Sequence, residues 1–137
     1  MVYLLALAQP DRWSLATPVD DAPLNITLPN GKSWRPENSD GRSHGRVSLG
    51  DALAQSYNQA TVRVGMDVGP ERLAKLLQVL GGIKAEPRPS LILGSVDLSV
   101  FSMAQMYQFL AAGGQVQPLR AVRGVLDPKG KAINRYD

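Results

Sequence analysis

The pattern of apolar and polar positions divides the chain into short helices and hairpins, with Pro or Gly at nearly every boundary. Leu73, Leu76, Leu77 and Leu80 give an i, i+3, i+4, i+7 stripe, which predicts a core-facing helix opened by Gly69-Pro70 and closed by Gly81-Gly82. Upstream, Val47 to Asn58 reads as a short helix capped by Ser48, with Asp51 at the capping-box position. Leu49, Ala52, Leu53 and Ser56 share one stripe of it, so Ser56 is expected to face inward, just before Tyr57 and Asn58. Apolar Met1 to Ala8 predicts a helix ended by Gln9-Pro10, and Ala60 to Val68 another. The last helix should be capped by Ser99 and run to about Ala112. Apolar residues cover most of its sides, which suits a helix deep inside a larger structure.

Two hairpins complete the pattern. Leu24, Ile26 and Leu28 alternate with polar residues ahead of Asn30-Gly31, a strong turn signal, and Ser33-Trp34 follows. Leu119 to Leu126 and Lys131 to Tyr136 flank Asp127-Pro128-Lys129-Gly130, which suits a type I turn. Trp13 and Trp34 read as apolar anchors for so small a hairpin rather than as the walls of a groove. Leu91 to Leu93 is too short a run to classify. The single partial domain so read has a loop-and-hairpin region over 10–46, a helical region over 47–114 and a hairpin over 115–137.

Composition narrows the chemistry more than it identifies it. The 137 residues are 44% hydrophobic and 20% charged, the balance of an ordinary globular domain. A net charge of +3 comes from scattered basic residues with no run and no basic helix face, so no nucleic-acid partner is expected. With no cysteine there is neither a disulfide nor a thiolate metal site, and the acids form no cluster in sequence, so no metal or cofactor is expected. The lone histidine, His44, sits in a Gly/Ser/Arg loop and reads as a surface residue.

From Tyr3 to Tyr136 the order of landmarks resembles the middle of the transpeptidase domain of a bifunctional (class A) penicillin-binding protein, nearest the 1B type. The landmarks are Asp21-Ala22-Pro23, Pro29-Asn30-Gly31, Trp34-Arg35-Pro36-Glu37-Asn38 and Gly45-Arg46-Val47. Ala52-Leu53-Ala54-Gln55-Ser56-Tyr57-Asn58, Leu93-Gly94-Ser95 and Ala112-Gly113-Gly114 continue the series. The resemblance implies an α+β, mainly helical architecture: the helical subdomain and hairpins of a penicillin-binding, serine-transpeptidase (β-lactamase-like) fold, lacking most of its central sheet.

Such enzymes combine Ser-x-x-Lys, Ser-x-Asn and Lys-Thr-Gly. Here Ser56-Tyr57-Asn58 matches the second motif. The residues three before the five lysines are Pro29, Arg72, Gly81, Leu126 and Pro128, so no Ser-x-x-Lys is present, and no lysine precedes Thr-Gly. The resemblance puts those motifs upstream of Met1 and downstream of Asp137. It also implies that the Ser56 hydroxyl relays a proton between the nucleophile's lysine and the leaving amine, while Asn58 hydrogen-bonds the backbone of a peptidoglycan stem peptide or a β-lactam. A serine without an adjacent base is a weak nucleophile, so the chain by itself is expected to be inactive. Read without the landmarks, Asn58 is a helix C-terminal cap and Ser56 a hydroxyl bonded back to a carbonyl. The alternative function is a stand-alone, non-catalytic interaction module. Unpaired strand edges within Leu119 to Tyr136 suggest self-association. The family implies a single-pass anchor and a site on the periplasmic face of the inner membrane.

Overall fold

A helix lying at the centre of the first half of the chain, α3 (Asn58–Val68), organises the packing around it. The computed structural model describes residues 1–136 and divides the chain into two units, residues 1–97 and the residues from Leu98 onward. In the first unit α1 (Val2–Leu7), β1 (Pro18–Asp21), α2 (Leu49–Ala54), α4 (Pro70–Gly81) and a short 3-10 helix (Pro89–Leu93) all pack on α3. Ala60, Val62 and Val64 are wholly buried, as are Ala6, Leu49 and Ala52 on the neighbouring helices. Buried residues at both 62 and 64 break simple helical spacing because partners cover α3 on more than one side. Gly65 lets the 3-10 helix approach: a Cβ there would lie 2.5 Å from Cγ2 of buried Ile92.

The local devices read from the sequence are present. Pro70 opens α4, and Gly82 ends it in the left-handed conformation at φ 64°. Leu73, Leu77 and Leu80 are buried and Leu76 is half-buried, so that stripe is core. β2 (Ile26–Thr27) and β3 (Ser33–Trp34) form the expected hairpin. Its loop is Pro29-Asn30-Gly31, closed by Leu28 N–H to Lys32 O at 2.8 Å and Gly31 N–H to Leu28 O at 2.9 Å. That is a three-residue turn with Gly31 at φ 76°, so Asn-Gly ends a type I turn rather than forming a two-residue one. Trp34 lines a groove of about 610 Å³ with Pro29, Pro87 and Pro89, the role the sequence ranked second for it. The unclassified run at Leu91 to Leu93 lies in the 3-10 helix.

One pairing was not expected. β1 runs antiparallel to β4 (Gly45–Ser48), from Pro18 opposite Ser48 to Asp21 opposite Gly45. Its inward residues are Val19 and Asp21, and a buried aspartate hides the strand's periodicity. Arg63 on α3 fastens the exit of β1, donating to the carbonyls of Asp20, Ala22 and Pro23 at 3.2, 2.6 and 3.1 Å.

The second unit holds α5 (Val100–Ala111) and the hairpin of β5 (Gly124–Leu126) and β6 (Ala132–Arg135). Ser99 Oγ accepts the Ser102 N–H at 3.0 Å, the expected cap. Buried Gln105 fixes the segment after α5, accepting from Leu119 N–H at 2.9 Å and donating to Gln117 O at 2.8 Å. The turn Asp127-Pro128-Lys129-Gly130 repeats the three-residue device of the first hairpin, with Gly130 N–H to Asp127 O at 2.9 Å and Gly130 at φ 81°. Within this chain α5 exposes Phe101, Met103, Tyr107 and Leu110, and Val100 to 88%. No helix among the described residues is long and apolar enough to cross a membrane.

Candidate functional site

The Ser-Tyr-Asn stretch is the junction between α2 and α3. Ser48 caps α2 by accepting the Asp51 N–H at 3.0 Å, while its hydroxyl donates to Asp51 Oδ2 at 2.6 Å. Aspartate is too short for the usual reach back to the cap's backbone and takes the cap's own hydroxyl instead. α2 then stops in a Schellman turn: Ser56 N–H reaches Leu53 O at 3.2 Å and Tyr57 N–H reaches Ala52 O at 3.0 Å. The left-handed position that this turn requires, normally taken by glycine, is Ser56 at φ 56°. This corrects the inward stripe expected for α2. Leu49 and Ala52 are buried, but Leu53 is 47% exposed and Ser56 lies on the surface beyond the last helical turn. Asn58 does not cap the helix before it; it is the first residue of the helix after it.

The start of α3 has orphan backbone donors, and Tyr57 at its N-cap has no side chain able to take them. Two distant residues do so. Asp21 Oδ1 accepts the Ala60 N–H at 3.1 Å, and Asn38 Oδ1 accepts the Gln59 N–H at 3.1 Å. The second Asp21 oxygen accepts from Asn38 Nδ2 at 2.7 Å, the His44 backbone N–H at 3.0 Å and His44 Nδ1 at 2.7 Å. Asp21 is 0% exposed, so this carboxylate is a buried cap that meets the positive end of α3.

His44 is therefore not the plain surface residue its loop suggested. Its side chain is 25% exposed, with Nδ1 on Asp21 and Nε2 3.0 Å from Asp40. The ring lies on Tyr57 with centroids 4.0 Å apart and planes 12° from parallel. The hydrogen bond to Asp21 and the nearby Asp40 charge hold its pKa above the ordinary histidine value, against the opposing effect of desolvation. Asp40 is held below the usual carboxylate range, first by the Arg42 N–H and then by His44.

Further bonds fix the junction. Asn58 Nδ2 donates to Glu37 O at 2.8 Å, which sets the rotation of its carboxamide. The Thr61 hydroxyl donates to Tyr57 O at 2.7 Å and receives a hydrogen bond from the Tyr3 hydroxyl of α1 at 2.7 Å. Neighbouring Gln59 accepts from the Ser43 hydroxyl at 2.7 Å and lines a cavity of about 320 Å³ with Pro36, Asn38 and Gly41; neither Ser56 nor Asn58 lines it. Among the described residues no group of three or more His, Cys, Asp or Glu is placed to hold a metal. The structure thus presents an exposed hydroxyl and a fixed carboxamide, two residues apart on a strained turn.

The chain is 44% identical over 134 residues to penicillin-binding protein 1B of Vibrio cholerae serotype O1, covering 96% of this chain and 17% of that protein. It is 40% identical over 135 residues to penicillin-binding protein 1B of Escherichia coli (strain K12), covering 96% of the chain and 16% of that protein. This chain is a homologue of one segment of penicillin-binding protein 1B. It spans about a sixth of the length of the relatives it matches. No family model matches it.

Among solved structures, penicillin-binding protein 1A from Haemophilus influenzae superposes with a TM-score of 0.84 at 28% identity, over 98% of this chain and 20% of that one. Penicillin-binding protein A from M. tuberculosis, solved as an imipenem acyl-enzyme complex, has the same fold over 98% of this chain and 36% of that one, at 22% identity and a TM-score of 0.76. The homology thus carries the expected fold with it: a mainly helical α+β portion of a penicillin-binding protein domain, with small antiparallel sheets in place of the central one. Asp21, Asn38 and His44 were missed as parts of the site. Asp21 and Asn38 stood among the landmarks, but nothing local shows that either reaches the start of α3.

Proposed function

We propose that this chain carries the middle motif of a peptidoglycan D,D-transpeptidase domain of the penicillin-binding type, with Ser56 supplying a proton-relaying hydroxyl and Asn58 a substrate-orienting carboxamide. The observation behind this reading is the Ser56-Tyr57-Asn58 junction itself. Its serine is held at φ 56° and its asparagine locked to Glu37 O at 2.8 Å, in a chain matching penicillin-binding protein 1B over 96% of its length. Strain at a polar, exposed residue over a rigid buried support is typical of functional turns.

The chemistry is incomplete in these residues. Acyl transfer needs a nucleophile with an adjacent base, and the sequence contains neither Ser-x-x-Lys nor Lys-Thr-Gly. The purified 137-residue polypeptide, incubated with a fluorescent penicillin and run on a denaturing gel, should give no covalent label. A labelled band would overturn this reading. The positive arm exchanges the chain for the matching segment of the Vibrio cholerae protein. That chimera should label, and Ser56→Ala or Asn58→Ala should slow acylation about 10²-fold or more, the scale of a lost proton relay or oriented donor. Labelling of the Ser56→Ala chimera at the parental rate would sink the motif assignment.

On this reading the partners are stem peptides and β-lactams, and the protein that carries the domain works at the periplasmic face of the inner membrane. Protease digestion of spheroplasts would check that location. The second reading, a non-catalytic module, requires that the chimera fail to label. Self-association would run through the β5–β6 hairpin, a two-stranded sheet with Val125, Leu126 and Ile133 exposed. A monomer by light scattering at all concentrations would rule it out.

A further inference from the structure

The cluster beneath the Ser-Tyr-Asn turn is more than a cap. Both ring nitrogens of His44 face carboxylate oxygens, Asp21 at 2.7 Å and Asp40 at 3.0 Å. Carboxylates accept only, so both contacts are satisfied at once only by a ring protonated on both nitrogens. That imidazolium lies flat on Tyr57, the middle residue of the turn. The loop holding it also holds the two groups that fix the start of α3: the Glu37 carbonyl on Asn58 and the Asn38 carboxamide on Gln59.

We propose that His44 is a positioning residue whose protonation sets the geometry of the Ser56–Tyr57–Asn58 turn, through Tyr57 beneath its ring and through the loop that anchors Asn58. For its functional half this rests on the transpeptidase reading above; for its structural half it does not.

The coupling follows from what deprotonation does. The titratable groups facing His44 are Asp21 from β1, Asp40 from its own loop and Tyr57 from the α2–α3 junction, with the neutral Asn38 amide 3.5 Å away. A neutral ring can keep one N–H. It stays on Asp21, which is wholly buried and has no water to replace a lost donor, and Asp40, half-exposed, is released to solvent. The loop then loses its outer tie, and the ring on Tyr57 loses its charge. The direction of the pH effect is fixed by the raised proton affinity. The folded protein holds the His44 proton above its unfolded value of about 6.5. The stabilisation is therefore fully present below about pH 6.5 and is lost as pH rises through the folded value.

The test follows the His44 ring nitrogens and the Ser56, Asn58 and Ala60 amides by NMR through a pH titration of the polypeptide. The ring and the Ser56 and Asn58 amides should share one midpoint above 6.5. Asp40→Asn, a change at a half-exposed site that leaves the core untouched, should lower that midpoint by roughly half a unit for all of them. His44→Gln should remove the transition. In the chimera, acylation by the fluorescent penicillin should show a step at the same midpoint, moved down by Asp40→Asn and flattened by His44→Gln. Ser56 and Asn58 amides that stay still while the ring titrates would overturn the proposal, and so would a chimera pH profile unchanged by His44→Gln. If instead the amides titrate with His44 but Ser56→Ala leaves acylation intact, it is the transpeptidase reading that fails, not the coupling.

Discussion

Replacing Asp21 with asparagine changes no volume and removes one charge, which isolates what the buried carboxylate does. It accepts four hydrogen bonds: three on Oδ2, from Asn38 Nδ2, the His44 backbone N–H and His44 Nδ1, and one on Oδ1 from the Ala60 N–H. The better orientation of the new carboxamide keeps its oxygen where Oδ2 was. Its NH₂ then points at the Ala60 N–H, donor against donor, and that buried donor goes unsatisfied at about 1–3 kcal/mol. Removing the negative charge from the start of α3 adds up to about 2 kcal/mol. The flipped orientation is worse, since three donors would meet the NH₂ group. A loss of about 1–5 kcal/mol is therefore expected, a large share of an ordinary domain's stability. Urea denaturation should show it as a midpoint lower by roughly 0.5–2.5 M at unchanged slope. The Gln59 and Ala60 amides should lose their protection against hydrogen exchange before the rest of α3. An Asp21→Asn protein within about 0.5 kcal/mol of the parent would refute the claim that this side chain caps the helix.

Ser56→Gly should act in the opposite sense, raising stability by about 0.5–1 kcal/mol because glycine takes the left-handed position without the Cβ penalty. A lower thermal midpoint would contradict it; paired with lost acylation in the chimera, a higher one would mark Ser56 as strain kept for function. Gly65→Ala would gain about 1 kcal/mol of helix propensity. Its Cβ, however, would sit 2.5, 2.7 and 2.8 Å from three side-chain atoms of buried Ile92. Overpacking of about 1–3 kcal/mol should win, and the same change should become neutral or stabilising once Ile92→Ala opens the space. A thermal double-mutant cycle with no coupling between the two sites would rule this out.

The steps of the fold that lie within a few residues of each other could be read directly. Ser48 and Ser99 are caps, Pro70 and Gly82 bound a helix, and the Pro-containing turns end in glycine at positive φ, because each involves one short-range hydrogen bond or one backbone angle. The leucine stripe of α4 is core because its partner faces need only be apolar. Ser56-Tyr57-Asn58 was located by the same kind of reading, but its orientation was not: the helical stripe was extended one turn too far, past a Schellman stop that glycine usually announces and serine here does not.

By itself, then, the sequence determined the local caps and stops of the helices other than the end of α2 and the start of α3, and which family supplies the pattern. Tertiary structure alone decided what holds the site. Asp21 reaches Ala60 across 39 residues and His44 across 23, and Gln59 meets Asn38 across 21. A buried charge is tolerated only where several chain segments bring donors to it together. No periodicity in one segment can encode that meeting, because the solvation penalty is relieved only by groups that arrive when the whole unit has folded.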